Sequence, residues 1–201
     1  MGFNMHNHST ATAAESPTAG WRLLPCHYIR DGKRSCGKAD CESPGKHPLP
    51  KDGLHAATTD ATQIEKWWSV NPQANLAVAT GEASGIVVID FDKKSGGLET
   101  LLGIEEKHGQ LPPTVEVQTG GGGVHLYYRY PQGEKIGSRN GWMQGVDVKA
   151  EGGYVLMPPS NHVDGKYHWA ELSSPAQTEV AEIPPWLLPR LPRQGEEKPT
   201  N

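Results

Sequence analysis

No apolar run in the 201-residue sequence approaches the roughly 18–20 residues that a membrane span requires, and the N-terminus lacks the apolar core of a secretory signal. These absences argue against a helical membrane protein and a secreted one. They point to a soluble protein of the cytoplasm, without membrane contact. Cysteine is scarce as well: Cys26, Cys36 and Cys41 are too few, and odd in number, for a secreted disulfide framework. Metal binding or free thiols in a reducing compartment remain. There is no internal repeat, and no strong charge of either sign.

A formal net charge of −4 argues by itself against a nucleic-acid binder, but its distribution argues the other way. Residues 22–51 carry seven Lys or Arg (Arg22, Arg30, Lys33, Arg34, Lys38, Lys46, Lys51) against three acids, a local +4 that leaves −8 for the rest. A basic lobe on an acidic body is able to hold a phosphate backbone, although a solvated loop of mixed charges has the same composition.

With 35 % hydrophobic residues, 17 prolines and 24 glycines, the chain reads as many short elements joined by loops. Residues 1–20 are small, polar and aperiodic, and are expected to form a disordered leader. Residues 191–201 look like a linker or tail, which hints at a chain that continues or an excised domain. One domain is expected over 21–190. Within it, Asp60 as N-cap with Ile64, Trp67 and Trp68 at helical spacing predicts a helix closed by Pro72. Leu98, Leu101, Leu102 and Ile104 predict a second, stopped at Gly109. Strands are expected at 75–80, 86–92, 114–119, 124–130, 145–150 and 153–160. Their short connections favour a mixed α/β fold with a mostly antiparallel sheet.

The stretch Ile86–Asp92, IVVIDFD, runs four branched apolar residues into two acids. On a strand Asp90 and Asp92 share one face, where two carboxylates repel unless a cation sits between them. Mg²⁺ or Mn²⁺ prefers such hard oxygen ligands, and two-metal sites use these pairs for phosphoryl displacement. Taken alone, a pair of this kind also fits the start of a solvated turn with Lys93 and Lys94. Downstream, Gly120, Gly121, Gly122 and Gly123 precede His125 at a strand start, a pattern suited to backbone N–H groups cradling phosphate. Asp147, in an apolar strand, needs a cation, either Lys149 or a metal shared with Asp90 and Asp92. Three carboxylates, a glycine cradle and a histidine together describe a metal-dependent nucleotide site.

In this ordered form the sequence resembles the bifunctional primase–polymerase (prim–pol) domain of the archaeo-eukaryotic primase superfamily, from about Leu24 to Trp186. VVIDFD is similar to the family's first motif, implying metal-binding Asp90 and Asp92. TGGGGVHLYY is similar to the second, implying that His125 contacts nucleotide phosphates, and GVDVKAEGGYVLMPPS to the third, implying Asp147 as the remaining ligand. The resemblance also puts Ser160, His162 and Lys46 near the nucleotide or template. Lys149 stands where arginine is more usual, which keeps the charge but loses bidentate phosphate contact. The implied fold is a catalytic core with a sheet related to RNA-recognition motifs, an N-terminal α/β unit and a small zinc-binding loop. The implied reaction is template-directed transfer of an NTP or dNTP to a 3′-OH with pyrophosphate release, on single-stranded DNA, in replication of a plasmid, phage or other mobile element. A fused or separate helicase and a monomeric state are further expectations.

Residues 26–48 hold Cys36-x4-Cys41-x5-His47 with Cys26 and His27 upstream, a soft donor set suited to structural Zn²⁺ that would staple a loop with little core. Relatives resembling this stretch show C-x-C, and the first of those positions is Arg34 here. The fourth ligand is therefore expected from His27, with Cys26 as the alternative. Trp21, Trp142, Trp169 and Trp186 are expected to pack, with Trp142 beside Arg139 also suited to touch template. Two rival functions share these residues: a non-catalytic, zinc-stapled module that binds nucleic acid or nucleotide, and a metal-dependent nuclease.

Overall fold

The structure, a computed structural model, describes residues 20–196. The leader expected over 1–20, apart from Gly20, and the tail residues 197–201 lie outside the described residues. In chain order these form β1 (Leu23–Cys26), the ribbon β2 (Ile29–Arg30) and β3 (Lys33–Arg34), α1 (Ala61–Val70), β4 (Asn75–Ala79), β5 (Ile86–Phe91) and α2 (Gly97–His108). There follow β6 (Glu116–Gln118), β7 (Val124–Arg129), β8 (Arg139–Met143), β9 (Val146–Lys149), β10 (Tyr154–Met157), β11 (Asn161–His162), β12 (Gly165–Lys166) and β13 (His168–Trp169).

The fold is a mixed α/β one in which the strand pairs are antiparallel. The main sheet has the order β13-β6-β7-β5-β9-β8 and a smaller one the order β1-β4-β10. Because β7 pairs antiparallel with both β5 and β6, those two strands run parallel to each other, joined by a crossover through α2. That is a split β-α-β unit, in keeping with the expected RNA-recognition-motif relationship. The other helix-bearing connection, from β1 through α1 to β4, joins antiparallel neighbours instead.

Each face of the main sheet has its own core. Val87, Ile89 and Phe91 pack with Val146, Val148 and Tyr128 under α2, while Ile86 and Val88 face the other way, with Val117 and Tyr127, toward the small sheet and α1. A strand buried on both faces reads as a continuous apolar run, which is why residues 86–89 show no alternation. The second half of the helix-side cover is the C-terminal segment, where Ile183, Leu187 and Leu191 are buried.

Both expected helices form. Asp60 Oδ1 accepts from Thr62 N–H at 2.9 Å and caps α1, which buries Ile64 and Trp68. In α2, Leu98, Leu101 and Ile104 face the core, whereas Leu102 is 66 % exposed on the outer side, contrary to its expected place in the apolar stripe. A three-residue spacing defines the buried face, and Leu102 falls beyond its edge. Two further expectations change. Strand 153–160 shortens to β10 and leaves the main sheet to pair with β4. Residues 191–196 do not begin a free tail: Leu191 is buried, Arg193 bridges Ile136, and Gln194 N–H donates to Lys135 C=O at 2.8 Å. Among the described residues no helix is long and apolar enough to cross a membrane.

Candidate active site

Strand register builds the centre of the site. Asp90 is the partner of His125 on β7 and of Asp147 on β9, so the three residues lie in one row across three strands and on one face. One pair back along the same face, Val88 stands opposite Tyr127 and Lys149. The face therefore passes from apolar wall to polar site within two residues. Beyond it lies a cleft of about 740 Å³ between the main sheet, β10 and the 26–48 segment, lined among others by Lys46, Asp90, Asp92, Gly121, His125, Asp147, Lys149 and His162. The structure thus gathers eight of the nucleotide-site residues expected from sequence around one space.

Their partners differ. His125 is 4 % exposed, with Nε2 at 3.5 Å from Asp90 Oδ1 and its buried Nδ1 without a hydrogen-bond partner among the described residues. Burial holds its pKa below the usual histidine range, against the pull of Asp90, and Lys46 and Lys149 push the same way as burial. Asp147 Oδ2 faces Lys149 Nζ at 2.9 Å while Oδ1 accepts from Gly141 N–H at 2.7 Å. Lys149 also donates to Asn140 Oδ1 at 2.6 Å. Lys149 is one of the two cations that sequence allowed for Asp147. Asp92 follows β5 and caps the short turn 93–95, accepting from Ser95 N–H at 2.9 Å.

The donor set fits a divalent cation. Among the described residues Asp90, a quarter exposed, faces the cleft with no donor nearer than His125, and Asp92 Oδ1 is engaged only by the Ser95 cap. Asp147 joins them as a ligand only by giving up Lys149. The three carboxylates do not converge on a single point: among the described residues, Cys36, Cys41 and His47 are the group of three donors lying within 4.8 Å of one another.

The glycine run is shaped by close packing. A Cβ on Gly123 would stand 2.3 Å from Phe91 C=O, and one on Gly120 would stand 2.6 Å from Gly165 C=O and 2.8 Å from His162 Cβ. Both glycines are required by neighbouring backbone. The N–H groups of Gly122 and Gly123 are taken by Thr119 C=O and Thr119 Oγ1 at 2.9 and 3.0 Å, so Gly121 is the member of the run that borders the cleft.

Ser160 does not reach the cleft. Its hydroxyl accepts from Leu76 N–H at 2.8 Å and donates to Leu76 C=O at 2.9 Å, which ties the turn after β10 to β4. Beside it, buried Asn75 donates from Nδ2 to Gly45 C=O at 2.8 Å and Asn161 C=O at 2.7 Å, and accepts from Asn161 N–H at 2.9 Å. That one amide holds the residues preceding Lys46 and His162. Nothing in local sequence separates it from any strand-start asparagine. Sequence reasoning also missed Lys94, Asp164 and Glu196 on the cleft wall. Glu196 Oε2 pairs with Arg139 at 3.0 Å.

In the 26–48 segment Cys36, Cys41 and His47 are partly sheltered, and His47 Nε2 is buried without a hydrogen-bond partner among the described residues. The Lys38 backbone N–H draws the Cys36 thiol below its usual range. Two soft thiols and an unpaired imidazole nitrogen fit a metal ion. His27 packs against His47 with ring centroids 4.3 Å apart and the rings tilted by 40°, and its Nδ1 contacts Ser35 Oγ at 2.9 Å. Cys26 lies apart, fully buried in β1, its thiol pushed up to about 12 by burial. Arg34, where the resemblance implied a cysteine, donates to Lys38 C=O and Ala39 C=O and closes the loop through hydrogen bonds.

Trp21 stacks on Tyr127 in the core at 5.3 Å, and Trp169 packs against the same ring. Trp142 donates from Nε1 to Arg190 C=O at 3.1 Å and packs in the helix-side core with Trp186, away from the cleft that Arg139 lines.

Compared with known proteins, residues 13–186 match the family model described as Bifunctional DNA primase/polymerase, N-terminal. No curated protein matches the chain.

Proposed function

As the chain belongs to the bifunctional DNA primase/polymerase family, we propose that the cleft carries out template-directed nucleotidyl transfer on single-stranded DNA. A 3′-OH attacks the α-phosphate of an incoming NTP or dNTP and pyrophosphate leaves. The observation that carries this reading is the row Asp90, His125, Asp147 opening onto a cleft that also holds Lys46 and Lys149.

Asp90 and Asp92, with Asp147 once Lys149 turns from it, are the residues that would hold Mg²⁺ or Mn²⁺. Such ions, when bound, neutralise phosphate charge and favour ionisation of the attacking hydroxyl. The protein's own groups do the rest. His125, held by its strand and kept near neutrality by burial, offers a fixed imidazole to phosphate oxygen; Lys149 and Lys46 bring ammonium groups from opposite walls. Gly121 leaves the cleft floor open for close approach, and His162 lines the far side. The segment 26–48 carries a structural Zn²⁺ on Cys36, Cys41 and His47, with His27 as fourth ligand in preference to Cys26. Residues 21–190 act as one catalytic unit, monomeric, in replication of a plasmid, phage or other mobile element alongside a fused or separate helicase.

Primer-extension and de novo synthesis on single-stranded DNA, with Mn²⁺ or Mg²⁺ and labelled NTPs or dNTPs, test the reading. Products should lengthen with wild type and not with Asp90→Ala/Asp92→Ala. Intact template binding without synthesis would favour a non-catalytic module, and shortening of the DNA a nuclease.

A further inference from the structure

Asp164 sits in the two-residue turn between β11 and β12, and its Oδ2 faces two basic groups from different elements. Lys94 Nζ lies at 2.8 Å and His162 Nδ1 at 3.2 Å. All three side chains line the cleft. Lys94 follows Asp92 by two residues, in the turn that Asp92 caps, whereas His162 belongs to the hairpin pressed against Gly120. One carboxylate thus joins the end of the acid-bearing strand to the hairpin across the glycine turn.

The two contacts are of different kinds. Lys94 donates a hydrogen bond; His162 Nδ1 is buried and close, without hydrogen-bond geometry. Burial, then Lys46 and Lys94, lower the histidine's proton affinity, and Asp164 opposes them. A carboxylate in this place holds Nδ1 toward it and leaves Nε2 on the far side; a phosphate that draws a proton onto Nε2 makes the ring an imidazolium donor whose charge Asp164 offsets. The carboxylate also tethers a lysine side chain that would otherwise lose much rotamer freedom on meeting a ligand. Two donors ordered in advance bind a polyanion more tightly than the same donors left free.

We propose that Asp164 is a positioning residue for the triphosphate of the incoming nucleotide, holding Lys94 and His162 ready as a pair of phosphate donors. The assignment rests on the nucleotidyl-transfer reading for the identity of the ligand. Asp164 itself carries the wrong charge to touch phosphate, so it acts through its two neighbours. A purely structural aspartate, serving only the hairpin turn, would affect folding and leave phosphate affinity alone.

The test is calorimetric binding of inorganic tripolyphosphate and of dATP, each with Mg²⁺, to wild type and to Asp164→Asn, together with extension kinetics and thermal midpoints. Asp164→Asn should weaken both ligands by the same factor, about tenfold. KM for dATP should rise by that factor with kcat nearly unchanged, and the midpoint should stay within about 2 °C of wild type. In a Lys94→Met/His162→Ala background the same substitution should add nothing further. The proposal falls if tripolyphosphate affinity is unchanged, if wild type binds neither ligand, or if the loss persists in the double-variant background. Synthesis failing in wild type while Asp164→Asn still weakens tripolyphosphate would remove the polymerase reading and leave Asp164 assigned to a triphosphate site.

Discussion

Replacing Asn75 by alanine should cost both stability and nucleotide affinity. The side chain is 2 % exposed and makes three hydrogen bonds, to Gly45 C=O, Asn161 C=O and Asn161 N–H, at 2.7 to 2.9 Å. At about 1 kcal/mol net for each bond, the loss is about 3 kcal/mol, and more where the three backbone groups left behind stay dry. For a domain of this size that lowers Tm by about 6–12 °C. Urea unfolding should show a lower midpoint with an unchanged slope, since the surface exposed on unfolding hardly changes. Because the bonded residues immediately precede Lys46 and His162, KM for nucleotide should rise as well. Asn75→Asp keeps the acceptor but loses both donations and buries a charge, so it should be no better tolerated. A stability loss below about 1 kcal/mol would refute the view that this amide ties the cleft walls together.

Asp90→Ala or Asp147→Ala should abolish incorporation while circular dichroism and Tm stay near wild type, and wild-type activity in either would remove that residue from the site. Metal analysis of freshly purified protein should find about one tightly held zinc per chain, and Cys36→Ser should release it; a folded, metal-free protein would contradict the staple. Ser160→Ala, which removes both bonds to Leu76, should destabilise by about 2 kcal/mol with kcat unchanged, as measured by denaturation and extension assays. The Cys26 thiol, raised from 9.0 to about 12 by burial, stays protonated in the folded chain while the unfolded chain ionises. Its contribution to stability is therefore complete below pH 9, declines as pH rises toward 12, and should show as resistance to alkylation at pH 8.5 until denaturant is added.

The strand Ile86–Phe91 was legible because an unbroken apolar run ending in acids suits little besides a buried strand that opens onto a polar site, and the two helices because their caps and spacing agree. Asp90, His125 and Asp147 could be named from motif order, but their alignment in one row depends on ladder register, which no local pattern states. The departure of β10 to the small sheet was hidden for the same reason: an apolar strand carries no mark of which sheet takes it. Ser160 and Asn75 show a different limit. A buried polar side chain bonded to distant backbone looks in sequence like any other serine or asparagine. The four glycines were visible, yet the reason for Gly120 and Gly123 lies in Gly165 and Phe91, reached only when hairpin and strand end have met.

The two-sided burial of β5 protects chemistry as much as stability. A slip of one residue would turn Asp90 and Asp92 toward α2 and bring Ile89 and Phe91 out to the cleft, so a pairing misaligned by one residue would bury acid and expose core. Each branched side chain so displaced forfeits roughly 1.5–3 kcal/mol, which makes the greasy side of the strand an alignment gauge for the acidic one. Substitutions that soften the helix-side core are then expected to scatter the carboxylates before they unfold the chain, with fidelity and rate failing at temperatures where the fold still holds.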